Sequence, residues 1–237
     1  MTSAWRDLVA VDVPHRGRRE FKYILPALAG VRAVAWVTAR ARALRQEFPP
    51  RQVSSIYFDS ASYSCFRQSN AGESERVKVR LRWYDALTPE SPLTLEFKHR
   101  ANHLGWKSQH HFVMADLLAR ALRTLPACFA ERVSSGERAL IEQLRLPILV
   151  TTYYRHYFVT ADGGIRVTVD TGLRYLDQRL RPSLNLTRDA HGCDFAVVEC
   201  KLEQSREQDA ARLMRAFSPR HARFSKYCDG LQRLTSR

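Results

Sequence analysis

The most regular feature of the chain is a two-residue alternation of basic and apolar side chains. In residues 76–84, Arg76, Lys78, Arg80 and Arg82 share one face and Val77, Val79, Leu81 and Trp83 the other, the period of a β-strand. After Pro92 the pattern returns, with Leu93, Leu95 and Phe97 against Thr94, Glu96, Lys98 and Arg100. It returns again after Gly105, where Lys107, Gln109 and His111 oppose Trp106 and Phe112. Residues 18–25 set Arg18, Glu20 and Lys22 against Arg19, Phe21 and Tyr23, and Pro26 ends the run. Four further strands are predicted: 53–59; 151–160, with Arg155; 165–170, with Arg166, Thr168 and Asp170 on one face; and 195–201, with Val197, Glu199 and Lys201 on one face.

Helical spacing separates these segments. Leu28, Val31, Val34, Ala35, Val37, Ala41 and Leu44 predict a helix over 27–48, stopped by Pro49 and Pro50. Shorter helices are predicted at 63–68, 115–125, 134–146 (with Ser135 as its cap), 207–217 and 225–234. About eight strands, mostly antiparallel, with four to six flanking helices make an α+β plan built on a large sheet or a closed β-barrel. No internal repeat or long linker divides the 237 residues, so one domain is expected over 18–237 behind an N-terminal extension, 1–17.

Charge changes the picture. The chain carries 38 Lys and Arg against 24 Asp and Glu, a formal charge of +14, which points to a polyanionic partner. Only six of those bases are lysines, and five of the six lie on predicted strands. One half-buried strand sends its charges to water, but several basic strands side by side stack like charges unless an anion lies between them. If the sheet closes, Lys22, Arg80, Arg82, Lys98, Lys107, Arg155 and Arg166 line its lumen, and Glu20, Glu96, Asp170 and Glu199 are too few to neutralise them. Five widely spaced cysteines include no CxxC pair, which argues against a structural zinc site and favours inert, buried thiols in a reducing cytosol. No secretory leader and no apolar run long enough to span a bilayer is recognisable, so a cytoplasmic protein is expected, with a basic surface able to meet a membrane.

Nine short motifs in order carry a resemblance. They are R-x-E-x-K-Y at 18–23, S-x-Y-F-D at 55–59, R-L-R-W-Y at 80–84, E-F-K at 96–98, W-K at 106–107, Y-R at 154–155, R-V-T-V-D at 166–170, E-x-K at 199–201 and F-S-K-Y at 224–227. Over residues 18 to 234 the chain resembles the polyphosphate polymerase domain of the vacuolar transporter chaperone (VTC) family, within the triphosphate tunnel metalloenzymes. The resemblance implies a tunnel barrel that binds ATP and inorganic polyphosphate through Lys22, Arg80, Arg82, Lys98, Lys107, Arg155, Arg166 and Lys226. It also implies Mn²⁺ or Mg²⁺ held by Glu199; Arg67, Lys78 and Lys201 match the pattern less closely. The family's eukaryotic architecture adds an inositol-phosphate-sensing domain and membrane helices, so this chain is expected to be the catalytic module, with a separate membrane protein as a partner.

The chemistry suits such a site. Phosphoryl transfer to an acceptor that is already an oxyanion needs alignment and charge neutralisation rather than a protein nucleophile. No G-x-x-x-x-G-K-[ST] loop is present. Hydrolytic relatives carry E-x-E-x-K on the first strand, whereas here Arg18 stands in place of the first glutamate, which favours polymerase over triphosphate hydrolase. Glu199, and more so Glu20, has the alternative of pairing with neighbouring bases, and Lys226 that of a solvated helix residue. His110 and His111 point opposite ways on a strand and cannot share a metal. Tyr57, Tyr84 and Tyr154 read as wall packing. A non-catalytic polyphosphate sensor and a nucleic-acid-binding module are the remaining alternatives; the latter is disfavoured because Trp83 faces away from Arg80 and Arg82.

Overall fold

The computed structural model describes residues 18–40, 44–101, 104–214 and 222–236. One antiparallel sheet dominates it: β1 (Arg18–Pro26), β2 (Leu44–Asp59), β3 (Glu75–Tyr84), β4 (Pro92–Ala101), β5 (Leu104–Val113), β6 (Leu146–Thr160), β7 (Ile165–Asp177), the two-residue β8 (His191–Gly192) and β9 (Phe195–Glu203). The strands run in the order β1-β9-β7-β6-β2-β3-β4-β5, with β8 paired to β7. Six helices accompany them: α1 (Ala27–Arg40), α2 (Ser64–Ala71), α3 (Leu125–Ala130), α4 (Ser135–Gln143), α5 (Glu207–Met214) and α6 (Lys226–Thr235).

The apolar faces of the alternating strands are covered by helices. Val79, Leu81, Trp83, Leu93, Leu95 and Phe97 pack in one core with Phe129 of α3 and Leu140 and Ile141 of α4. Val167, Val169, Val198, Cys200 and Leu202 pack in a second with Ala33 and Val37 of α1. The charged faces therefore turn away from both layers. They turn toward one another, because Glu20 on β1 meets Lys98 on β4 at 3.5 Å although β4 lies six places from β1 along the strand order. The expected closed barrel is not closed by backbone hydrogen bonds between strands: among the described residues β1 and β5 remain unpaired edges, and the curl is spanned by side-chain contacts and by the segment 222–225.

Several boundaries move from their predicted places for identifiable reasons. The helix expected over 27–48 ends at Arg40, residues 41–43 lie outside the described set, and Leu44–Phe48 is already strand. Pro49 and Pro50, expected to stop a helix, sit instead inside β2 where Phe48 pairs with Tyr157 and Arg51 with Arg155, so two residues oppose one in a bulge that needs no N–H from proline. β7 continues past Asp170 to Asp177 through a second irregularity, at which Gly172 takes the left-handed φ of +59°. The helix expected at 115–125 is absent; turns lead to a short 3-10 segment, Leu122–Thr124, and then α3. The cap of α4 is Ser134, one residue earlier than expected: its hydroxyl accepts from Glu137 N while the Glu137 carboxylate accepts from Ser134 N, a reciprocal capping box. Of the helix expected at 207–217, α5 covers Glu207–Met214 and 215–217 lie outside the described residues.

Candidate active site

The site begins with α6, which lies across one end of the concave charged face. Ser225 caps it by accepting from Cys228 N, and the helix approaches the sheet closely at Gly230, where a Cβ would stand 2.6 Å from Tyr175 Cδ1 and 2.7 Å from Leu149 Cδ2. Only a glycine permits that approach. Tyr227 then stacks on Tyr57, with centroids 5.3 Å apart, and donates its hydroxyl proton to Asp59 at 2.5 Å. The segment leading into α6 ties β1 and β3 together: Ala222 N donates to Lys22 O, Lys22 Nζ donates to Phe224 O at 3.1 Å, and Lys78 Nζ donates to Ser225 Oγ at 2.9 Å.

Inside this enclosure each carboxylate is held by at least two cations. Asp170, fully buried, accepts from Arg155 Nε at 2.6 Å and Nη2 at 2.7 Å, a bidentate fork, and pairs with Lys226 Nζ at 2.6 Å. Glu96 accepts from Arg80 Nε at 2.8 Å, and its other oxygen lies 3.3 Å from Arg82 Nη1. Glu20 pairs with Lys22 at 2.7 Å and Lys98 at 3.5 Å; Glu199 pairs with Lys201 at 2.6 Å and lies 3.9 Å from Arg155. Nine cations thus share the face with four carboxylates: Lys22, Lys78, Arg80, Arg82, Lys98, Lys107, Arg155, Lys201 and Lys226 against Glu20, Glu96, Asp170 and Glu199.

The excess positive charge is visible in the acidities. Burial pushes Glu96 up, but Arg80 and Arg82 hold it at about 2. Burial likewise opposes ionisation of Glu199, yet Lys201, Lys22, Arg155 and Lys226 hold it well below the usual carboxylate range. Three of the lysines show the reciprocal penalty, whereas Lys22, Arg80 and Arg155, each beside a carboxylate, are raised. Desolvation inside the concavity, with Lys22 and Arg80 nearby, brings Lys98 down to about 8 although half of its side chain still touches water and Glu20 partly compensates. Lys78 and Lys107 are lowered by the same desolvation and by their basic neighbours. Tyr57 is buried, which alone would raise its phenol, but Arg80 and Arg82 bring it down to about 8, and its oxygen accepts from Arg80 Nη1 at 3.0 Å.

Of the expected site residues, Lys22, Arg80, Arg82, Lys98, Lys107, Arg155, Glu199 and Lys226 converge on this face. Arg166 does not join the cluster: it stands at the rim, largely exposed, and pairs with Glu47 at 3.1 Å. Lys78 and Lys201, matched less closely in sequence, are full members, whereas Arg67 lies exposed on α2 and donates to Ser62 Oγ. Tyr57 is more than wall packing, and Tyr84, on the same face as the bases, stacks on Arg51. Tyr154 is half exposed. His110 and His111 diverge as expected, to Glu137 and Thr94. The five cysteines are free; Cys65, Cys200 and Cys228 are buried, but Cys128 and Cys193 only partly so.

Comparison with known proteins places this arrangement. The family model of the VTC domain matches residues 17–235. The chain belongs to the VTC domain family. Among solved structures, this VTC domain is similar to a candidate adenylyl cyclase from Hippeastrum described as having a dominant triphosphatase activity, with a TM-score of 0.50 and 12% identity over 90% of this chain and 94% of that one. Candidate adenylate cyclases from Vibrio parahaemolyticus (TM-score 0.46, 13% identity, 94% of this chain and 99% of that one) and Bacillus halodurans (0.47, 13%, 88% and 95%) are also similar. None of the curated proteins matches the chain. Among the described residues of the VTC domain, no helix is long and apolar enough to cross a membrane.

The donor set fits a divalent ion of the kind held jointly by protein and substrate. No three His, Cys, Asp or Glu side chains among the described residues form a ready cage. Glu20 and Glu199, however, are close enough that the Glu199 carboxylate opposes ionisation of Glu20, and one or two carboxylates with substrate phosphates are what Mg²⁺ requires.

Proposed function

We propose that this VTC domain is a metal-dependent polyphosphate polymerase that transfers the γ-phosphate of ATP to a growing inorganic polyphosphate chain. The observation that carries the reading is the imbalance of nine cations over four carboxylates on one enclosed face, every carboxylate already paired. The carboxylates orient the cations without neutralising the site, leaving positive charge for phosphate oxygens. Arg80 and Arg82, fixed by Glu96, and Arg155, fixed by Asp170, present guanidinium forks. Lys22, Lys98, Lys107 and Lys226 add point charges along donor and acceptor phosphates, with Arg166 at the entrance. Glu199, with Glu20 beside it, would hold Mn²⁺ or Mg²⁺. When bound, the ion neutralises charge developing on the transferred phosphoryl group. The acceptor arrives as an oxyanion, so no side chain has to remove a proton from it.

A second reading, hydrolysis of triphosphate or polyphosphate, is favoured by the proximity of Glu20 to Glu199, a carboxylate pair of the kind that positions water. Purified protein incubated with ATP and Mn²⁺ or Mg²⁺, with products resolved on a polyphosphate-stained gel and ADP and phosphate assayed, separates the two. Long chains with ADP, lost in Glu199→Gln and Lys22→Ala, are the expected result. Phosphate without chains establishes the hydrolase.

A further inference from the structure

Away from α6, the charged face ends in a group that phosphate binding leaves unused. The β2 bulge at Pro49 and Pro50 places Arg51 flat over Tyr84, its Cζ 3.8 Å from the ring centroid, while its Nε donates to Tyr157 Oη at 3.2 Å. Phe48 stands edge-on to Tyr157, with centroids 5.8 Å apart and planes at 87°, and is half exposed. A single exposed ring needs no explanation. This one differs in being backed by a tyrosine locked to an arginine that is itself stacked, so its position is fixed before any ligand arrives. Arg51 is also the direct cross-strand partner of Arg155, which sets the aromatic group one residue pair beyond a proposed phosphate-binding side chain. The opposite end is occupied by α6, Phe224 and Ser225, so, among the described residues, a nucleoside attached to phosphates on Arg155 has its open space on the Phe48 side.

We propose that Phe48, supported by Tyr157 and Arg51, is a stacking platform for the nucleobase of the nucleoside triphosphate. The proposal rests on the reading that the charged face takes such a substrate, and adds the part of the protein that distinguishes a nucleotide from a bare phosphate chain. Aromatic stacking accepts any base, so the platform contributes affinity for the nucleoside and leaves phosphate recognition unaltered.

The test titrates ATP and inorganic tripolyphosphate separately into the full chain in a calorimeter, without divalent ion so that no turnover occurs. Phe48→Ala should weaken ATP binding by about 5- to 150-fold, leave tripolyphosphate binding unchanged, and recover in Phe48→Trp. Phe48 is half exposed, and unchanged tripolyphosphate binding reports that the variant is folded. Equal weakening of both ligands, or no change for ATP, overturns the proposal. Wild-type protein that binds tripolyphosphate but not ATP also overturns it while leaving the phosphate-chain reading intact; binding of neither ligand overturns both.

Discussion

Replacing Asp170 with asparagine removes one negative charge and almost no volume, yet it leaves Arg155 and Lys226 facing each other in a site without water access to Asp170. Breaking a buried ion pair by removing one partner costs about 3–5 kcal/mol, because the surviving charge keeps its desolvation penalty. For a chain of this size each kcal/mol lowers Tm by roughly 2–4 °C, so Asp170→Asn should melt roughly 6–20 °C lower. Burial raises the Asp170 pKa, but Arg155 and Lys226 more than reverse this and the folded value is depressed. The carboxylate's contribution is therefore complete above the unfolded value of about 4 and is lost as pH falls through the lower folded value, so wild type and variant should converge only in strong acid. Tripolyphosphate at 100 times its Kd stabilises wild type by about 2.7 kcal/mol. In the variant it should bind more tightly, since an anion now supplies the missing counter-charge. Urea unfolding at pH 7 with and without tripolyphosphate measures both effects. A loss below about 1 kcal/mol, or unchanged tripolyphosphate affinity, would refute the assignment of Asp170 as the fixed counter-ion of two phosphate-binding cations.

Three other outcomes are expected. Between pH 7 and 9 Lys98 loses its positive charge and Tyr57 gains a negative one, both about pH 8, so tripolyphosphate affinity should fall across that interval and fall less in Tyr57→Phe; a flat profile in calorimetry contradicts the placement of these groups. Gly230→Ala should cost about 1–3 kcal/mol in denaturant unfolding through overpacking against Tyr175 and Leu149, and should weaken anion binding by shifting Lys226. Ser134→Ala should destabilise the fold by about 1 kcal/mol through loss of the α4 cap, without altering tripolyphosphate affinity.

How much was legible before the structure depended on whether the backbone kept its period. Strands β3, β4 and β5 alternate without interruption, so their basic faces, and with them Arg80, Arg82, Lys98 and Lys107, could be assigned from residue order. Where an extra residue enters a strand, alternation fails. Pro49 and Pro50 hid the first half of β2 and with it Arg51, and Gly172 hid the continuation of β7 that brings Tyr175 onto the same side as Asp170. Tyr57 had a readable signal, since Ser55, Tyr57 and Asp59 alternate with Ile56 and Phe58, but no basic residue in 53–59 drew attention to it. Arg166 shares a face with Asp170, and only the tertiary contact with Glu47 explains why it stops at the rim. The pairing of each carboxylate with particular bases depends on how far the sheet curls, which no local pattern encodes.

That curl is fastened unequally. Seven ladders of backbone hydrogen bonds join the successive strands from β1 to β5, but β1 is brought around to β4 and β3 by the Glu20 and Lys98 side chains and by the segment that Lys22 and Lys78 hold before α6. A partly exposed ion pair contributes at most about 1 kcal/mol and weakens with salt, whereas a ladder resists as a unit. The enclosure therefore behaves as a split ring with a clasp: its girth yields at one line while the rest of the wall stays stiff. Under the proposed function, a polyphosphate chain would enter sideways through such a line, by parting side chains, without an end having to be threaded.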